Sequence, residues 1–282
     1  MNPSPSYLRV FAMFCRNSLV RDMTFRWNFI FDAITSLAWM TINLLFYMLI
    51  YEYTPMLSGP DGDNPADPGW GKYQYYVFIA TSMIINSIVQ AFFMPNAEEF
   101  SELIRTGNFD FAMLKPIDTQ FLISLQKIEW SALANALFGV ALLAYALLEL
   151  GYSPGPLQFV LYPFYIAAGV VILYSLTIAM SSVSVWLGRN QSLYDFWFYI
   201  TNFARYPLEI YRGAVGDPLR LTFMYVLPVL LVVNIPARLL AKPFEAQSWP
   251  LAIYALVATG VSFVASRWLF QTALKSYRSA SS

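Results

Sequence analysis

The sequence predicts an all-α protein that crosses a membrane several times, and three observations carry that prediction. Hydrophobic residues make up 58% of the chain and charged residues only 12%, about half the charged share of a soluble domain, so too few polar side chains exist to cover a water-facing surface. Stretches near the 20-residue length that crosses a bilayer as a helix recur along the chain, at 27–51, 73–94, 131–150, 163–187, 191–211, 219–237 and 249–270. Their apolar character is continuous rather than alternating, and backbone in lipid must satisfy its own hydrogen bonds, which predicts helices and not barrel strands.

The elements follow in order. Residues 6–26 precede the first span and read as an amphipathic helix lying in the interface. Ser6 stands at the N-cap, Arg9 and Arg16 share one face and snorkel to water, and Phe11, Cys15 and Leu19 line another. The run 27–51 is too long for the apolar region of a cleaved signal and is expected to remain as a signal anchor. Residues 52–72 contain PDGDNPADPGWGK, an irregular solvated loop by its Pro, Gly and Asp content. Gly71-Lys72 lacks the spacing of a phosphate-binding loop because Ala66 stands where the first glycine belongs, and no such loop occurs elsewhere. Trp27, Tyr51, Tyr73 and Trp249 fall at span ends as interfacial anchors.

Lysines and arginines set the expected orientation. With the N-terminus in the cytoplasm, 14 of the 17 fall inside and only Lys72, Arg238 and Lys242 fall outside, the asymmetry that orients membrane proteins. Both termini are then cytoplasmic, which requires an even number of crossings and reduces the seven stretches to six. Either 191–211 is an inner interfacial helix and 219–237 the fifth span, or 191–211 is the fifth span and 219–237 a proline-broken re-entrant hairpin from outside. The count of 14 belongs to the first option, which hydropathy favours; the second moves Arg205, Arg212 and Arg220 outward and gives 11 against 6.

Net charge is zero and histidine is absent. Nothing in that balance points to nucleic acid, and the commonest metal ligand and general base is missing. Cys15 is alone and forms no intrachain disulfide. A membrane enzyme is therefore a weak reading. A secondary transporter would need acidic sites near the midplane, and Asp32 is the one acidic residue in the central parts of the spans. A purely structural scaffold stays open.

The stretch NAEEFSELIRTGNFDFAMLKPIDTQF, residues 96–121, interrupts this apolar chain. Asn96 and Glu99 have the spacing of a capping box. Phe100, Leu103 and Ile104 form one small apolar face, Arg105 lies three residues after Glu102, and Gly107 supplies the stop. A helix of about ten residues is marginal alone, so its apolar face is expected to dock against something. Pro116 discourages helix at Lys115, and Asp118 can cap a new helix running through Lys127 and Glu129 into the third span. The spacing thus predicts a transverse helix and a stiff return that join two spans; a plain loop packed on its own bundle is the other reading.

The pattern Glu99–Asp118, E-F-x-E-L-I-R-x-G-x-F-D-x-x-x-L-K-P-I-D, resembles the second cytoplasmic segment of permeases of the ABC type 2 exporter class, especially a bacterial subgroup of about 260–290 residues. ARYPLEIYRGAVGDPLRLTFMYVLPVLLVVNIPARLL (204–240) resembles the same subgroup. The resemblance implies six spans, with 191–211 as the fifth and 219–237 re-entrant. It implies a non-catalytic permease of the bacterial inner membrane that pairs with a second permease, as homo- or heterodimer, and with ABC ATP-binding subunits. ATP and Mg would then be held by those partners and no cofactor by this chain. It implies that 97–106 is the coupling helix within segment 96–118, with Glu99, Phe100, Leu103, Ile104, Arg105, Gly107, Asp110, Lys115 and Pro116 at the ATPase contact. Four polar residues are candidates for a pathway or gate: Asn43, Asn86, Arg205 and Glu209. The first two also read as interhelical hydrogen bonders, and the last two as an i, i+4 pair. Asp32 is expected to pair with Arg26 or another subunit.

Overall fold

The computed structural model describes residues 6–54, 56–57, 69–187, 198–243 and 249–277. Helix α1, Tyr7–Thr24, breaks at Phe25, and α2, Arg26–Tyr53, follows at once. A two-residue antiparallel ladder, β1 (Met56–Leu57) with β2 (Trp70–Gly71), leads into α3, Lys72–Phe92. Then come α4 (Met94–Thr106), α5 (Phe109–Met113), α6 (Thr119–Leu125), α7 (Leu133–Glu149) and α8 (Pro156–Leu187). After helical residues 198–203, α9 is Gly213–Leu221, α10 is Val229–Ala241 and α11 is Trp249–Ser276.

This is an all-α polytopic membrane fold. Among the described residues, five helical segments are long and apolar enough to cross: Arg26–Tyr53, Lys72–Thr106, Trp130–Glu149, Pro156–Trp186 and Trp249–Ser276. A sixth crossing arises if one bent pair is counted, Gly213–Val226 with Val229–Ala241, which turn by 88°. The expected fifth span, 191–211, falls partly outside the described residues. Of its remainder, 198–203 is helical, the chain leaves the helix at 204, and Leu208–Ile210 is a single 3-10 turn.

The region predicted as a re-entrant hairpin over 219–237 lies within a right-angled elbow over 213–241. Its first arm ends in a π-helical turn, Thr222–Val226, and Pro228 breaks the backbone. Pro236, in contrast, sits inside α10 without ending it. The two arms differ in burial: α9 has no buried residue, whereas α10 is buried along nearly its whole length. At 13 residues α10 is about 20 Å long, short of the ~30 Å hydrocarbon layer. A broken helix at that depth is stable because protein surrounds it. Helix α8 starts seven residues before the predicted 163–187 and carries Pro163 within it, a tolerance common to membrane helices.

The main core joins α3, α7, α8, α10 and part of α11, with Tyr75, Phe78, Ile85, Leu173 and Leu230 fully buried. Close approach depends on two glycines. A Cβ on Gly169 of α8 would meet the Val232 carbonyl oxygen at 2.8 Å, and one on Gly139 of α7 would meet Ala80 O of α3 at 3.1 Å. Small residues bring membrane helices into such contact. Helix α2 stands apart. No residue in its most apolar stretch is buried; it meets α7 and the turn Trp130–Ala132, Tyr47 packs on Tyr75 with centroids 4.9 Å apart, and the Tyr51 hydroxyl donates to Trp70 O at 2.9 Å. A second, smaller core lies at the end of the bundle bearing α1, where Phe14, Phe100, Phe109, Leu122, Ile178 and Phe270 meet.

Gly169→Leu is therefore expected to destabilise the protein by about 1–3 kcal/mol through overpacking. Gly260→Ala, where a Cβ meets nothing within 4 Å, is expected to leave stability unchanged or higher. Thermal unfolding of the two purified variants beside the parent checks both.

Candidate coupling site

Helices α3 and α4 run as one rod of 35 residues, Lys72–Thr106, about 52 Å long by its rise and so longer than a bilayer core is thick. The predicted transverse helix is thus an extension of the second span. It begins at Met94 with Pro95 in the first turn, where the missing N–H costs nothing. Asn96 is not the cap. Its side chain is drawn to a distant partner, donating to Phe92 O at 2.7 Å and Lys127 O at 2.6 Å and accepting from Lys127 N at 2.8 Å. Glu99, freed from a capping role, pairs with Lys127 at 2.8 Å. At the far end Gly107 takes φ 73°, a left-handed cap that suits glycine.

The return also differs from the predicted continuous helix. Asp118 caps α6 by accepting from Phe121 N at 3.0 Å, but α6 stops at Leu125 and the chain passes through non-helical residues to Trp130. Other elements satisfy that backbone: Ser18 accepts from Ile128 N at 3.0 Å, Arg21 donates to Ile128 O at 2.9 Å, and Ala91 O accepts from Glu129 N at 2.9 Å. Asp22 accepts from Trp130 N at 3.2 Å. Buried backbone groups need such partners, and here α1, α3 and α4 supply them.

The apolar face of α4 turns inward. Phe100 is 1% exposed and packs on Phe109 at 5.1 Å and Phe270 at 5.9 Å, with Leu103 and Ile104 half-buried against the same small core. The outward surface has a different composition. Phe111 is 69% exposed, Leu114 is 80% exposed, and Met113 lies beside them. Exposed Arg105, Lys115 and Pro116 surround this apolar tip, and Asp110 lies against Tyr277. Arg105 makes a forked pair with Glu102, at 2.8 and 2.5 Å, which holds the Glu102 carboxyl below its usual range. Of the predicted contact residues, Phe100, Leu103 and Ile104 therefore hold the segment to its own bundle. The exposed Phe111 and Leu114 were not among the expected contact residues, because spacing identifies a shared face without saying what that face meets.

Asp118 is tied across the fold. Arg267 of α11 donates to both its oxygens, at 3.0 and 2.5 Å, and to Gln120 Oε1 at 2.7 Å. The guanidinium holds the Asp118 carboxyl below the ordinary carboxylate range.

The four pathway candidates are not brought together as a set. Asn43 donates to Trp39 O and Asn86 to Ser82 O, both at 2.8 Å and both on their own helices. Arg205 sits 5.8 Å from the Phe198 ring. Glu209 is buried and pairs with Arg238, not with Arg205, because the chain has left the helix between them. Glu209 also accepts from Trp70 Nε1 at 2.9 Å, and Lys242 lies 5.0 Å over the Trp70 ring. This cluster, which ties β2 to α10, had no local signal. Asp32 is exposed on α2 and makes no ion pair among the described residues. Among the described residues no group of three or more His, Cys, Asp or Glu is placed to hold a metal.

The profile of a family described as "ABC-2 family transporter protein" matches residues 37–281, nearly all of the chain beyond α1. No curated protein matches significantly.

The Asp118–Arg267 pair has a pH signature. A carboxylate with a depressed folded pKa adds stability above its unfolded pKa of about 3.9, and that stability is lost as the pH falls through the folded value. Wild type is expected to exceed Asp118→Asn in stability by a constant margin at neutral pH, with the margin shrinking below about pH 4. Paired denaturation curves across that range check it.

Proposed function

This chain belongs to the ABC-2 family of transporter proteins, and we propose that it is the permease subunit of an ATP-driven exporter in a bacterial inner membrane. In this reading it has both termini in the cytoplasm, pairs with a second permease, and draws its energy from ATP and Mg held by separate ATP-binding subunits. The observation that carries the reading is the exposed apolar tip of Phe111, Met113 and Leu114 at the end of the α3–α4 rod. In a segment flanked by Arg105 and Lys115, large apolar side chains left in water mark a protein contact.

The mechanism follows from the connections of that tip. Binding of ATP draws the two ATP-binding subunits together and displaces the segments seated on them. Through the rod the displacement reaches the second span, and through the small core it reaches α8 and α11. The bundle is a two-state element, biased by contacts that differ between the states. With 191–211 counted as the fifth crossing, 11 of 17 basic residues fall on the side of α1 and α4, which supports a cytoplasmic location for this face. Helix α1, with exposed Leu8 and Met13 beside Arg9 and Arg16, lies against the membrane lipid there.

Two sets of substitutions separate contact from packing. Phe111→Asp with Leu114→Asp is expected to weaken binding of the ATP-binding subunit by about 2–4 kcal/mol, as for interface hot spots, without lowering thermal stability. Leu103→Asp with Ile104→Asp is expected to lower stability itself. Reconstitution of the purified chain with its ATP-binding subunits, reading affinity and ATP hydrolysis, checks the first; normal assembly by the Phe111/Leu114 variant contradicts the reading.

A further inference from the structure

We propose that Arg267 is a positioning residue that carries movement of the coupling segment into the fourth and last spans, and through them to the elbow at Leu227–Pro228. The proposal rests on the coupling role assigned above and adds the route by which a displacement leaves the segment. No short covalent path leads from the segment to α11; Arg267 is 149 positions from Asp118. Side chains must make that connection. Phe270 makes it by aromatic contact with Phe100, which has little directional preference. Arg267 makes it through a planar fork on both Asp118 oxygens, a geometry that fixes orientation as well as distance.

The network allows little slack. Asp118 Oδ1 also holds the first turn of α6 through Phe121 N. Gln120, 4% exposed, accepts from Arg267 and donates to the Tyr174 hydroxyl of α8 at 2.9 Å. Ser124, 3% exposed, shares a second hydrogen bond with that hydroxyl at 3.1 Å. One connected set of polar groups therefore joins the coupling segment, α8 and α11. An ionisable residue near the end of an apolar span is costly and points to function when its partner can be named.

The far end of the route is equally specific. Helices α8 and α11 line, with the elbow, a partly open pocket of about 280 Å³. Ile172, Ser175 and Leu176 of α8 line it, as do Leu227 and Pro228 of the elbow. Ser266 and Trp268, the two neighbours of Arg267, line it from α11. Displacement of α11 at Arg267 therefore changes the walls on which the elbow rests, and the open space gives the elbow room to move.

The test uses the full chain assembled with its ATP-binding subunits in lipid vesicles, with Cys15→Ser and a reporter, Val215→Cys, on the exposed arm α9. The rate of modification by a membrane-impermeant maleimide is compared without nucleotide and with ATP plus vanadate. Wild type is expected to change its rate with nucleotide. Arg267→Gln and Asp118→Asn are expected to reduce that response by about twofold to thirtyfold, the range of coupling changes seen along such networks, while assembly with the ATP-binding subunits is unchanged. Arg267→Lys keeps the charge and loses the fork, and is expected to fall between. Exchange of the charges, Asp118→Arg with Arg267→Asp, is expected to restore part of the response. Full nucleotide response in Arg267→Gln and Asp118→Asn overturns this proposal alone. Absence of any response in the assembled wild type overturns it together with the coupling role.

Discussion

Between α6 and α7 the backbone of residues 127–129 and the N–H of Trp130 have no helix or sheet to satisfy them, and the packing of one end of the bundle answers that need. Asn96 closes both groups of Lys127, Ser18 and Arg21 close those of Ile128, and Ala91 O and Asp22 take the next two N–H groups. An unsatisfied buried group costs about 1–3 kcal/mol, so these bonds oblige α1, the α3–α4 rod and the return strand to sit together. The helix that continues the second span is thereby held at its start and along its apolar face, and large apolar side chains are left outward beyond Gly107. A lever needs that combination of a secured shaft and an exposed end.

The same arrangement explains which parts of the fold were legible in the sequence. Hydropathy is a sum over neighbours along the chain, so the ends of α2, α3 and α7 lie within three residues of the apolar stretches. Gly107 and Asp118 were legible too, since a left-handed stop and an N-cap are local devices whose partners lie within a few residues. Asn96 was not, because its local capping option lost to a partner 31 positions away. Glu209 obeyed the i, i+4 rule toward Arg205 only on the assumption of an unbroken helix, and its partner stands on α10. The inward turn of Phe100, Leu103 and Ile104 had no signal in spacing, since the same periodicity serves a face buried on its own bundle and one that meets another protein.

Two polar clusters now stand at opposite ends of the membrane fold. At the end bearing α1, Asp118, Arg267, Gln120 and Tyr174 join the coupling segment to α8 and α11. At the other, Trp70, Glu209 and Arg238 join β2 to α10. The elbow shares its pocket with both α8 and α11. Its buried arm α10 is anchored to the distant cluster, and its exposed arm α9 carries no buried residue. Ends fixed by directional bonds and a middle of apolar contacts, with a proline break, suit a bundle that changes state by shifting packed helices past one another.

The central claim is that the tip formed by Phe111 and Leu114, and not the apolar face of α4, meets the ATP-hydrolysing partner. Site-specific photocrosslinking in intact cells tests it most directly, with a photoreactive amino acid placed in turn at Phe111, Leu114 and Phe100. The account predicts covalent adducts to an ATP-binding subunit from the first two positions and none from the third. Adducts from Phe100 alone, or from none of the three, would contradict it.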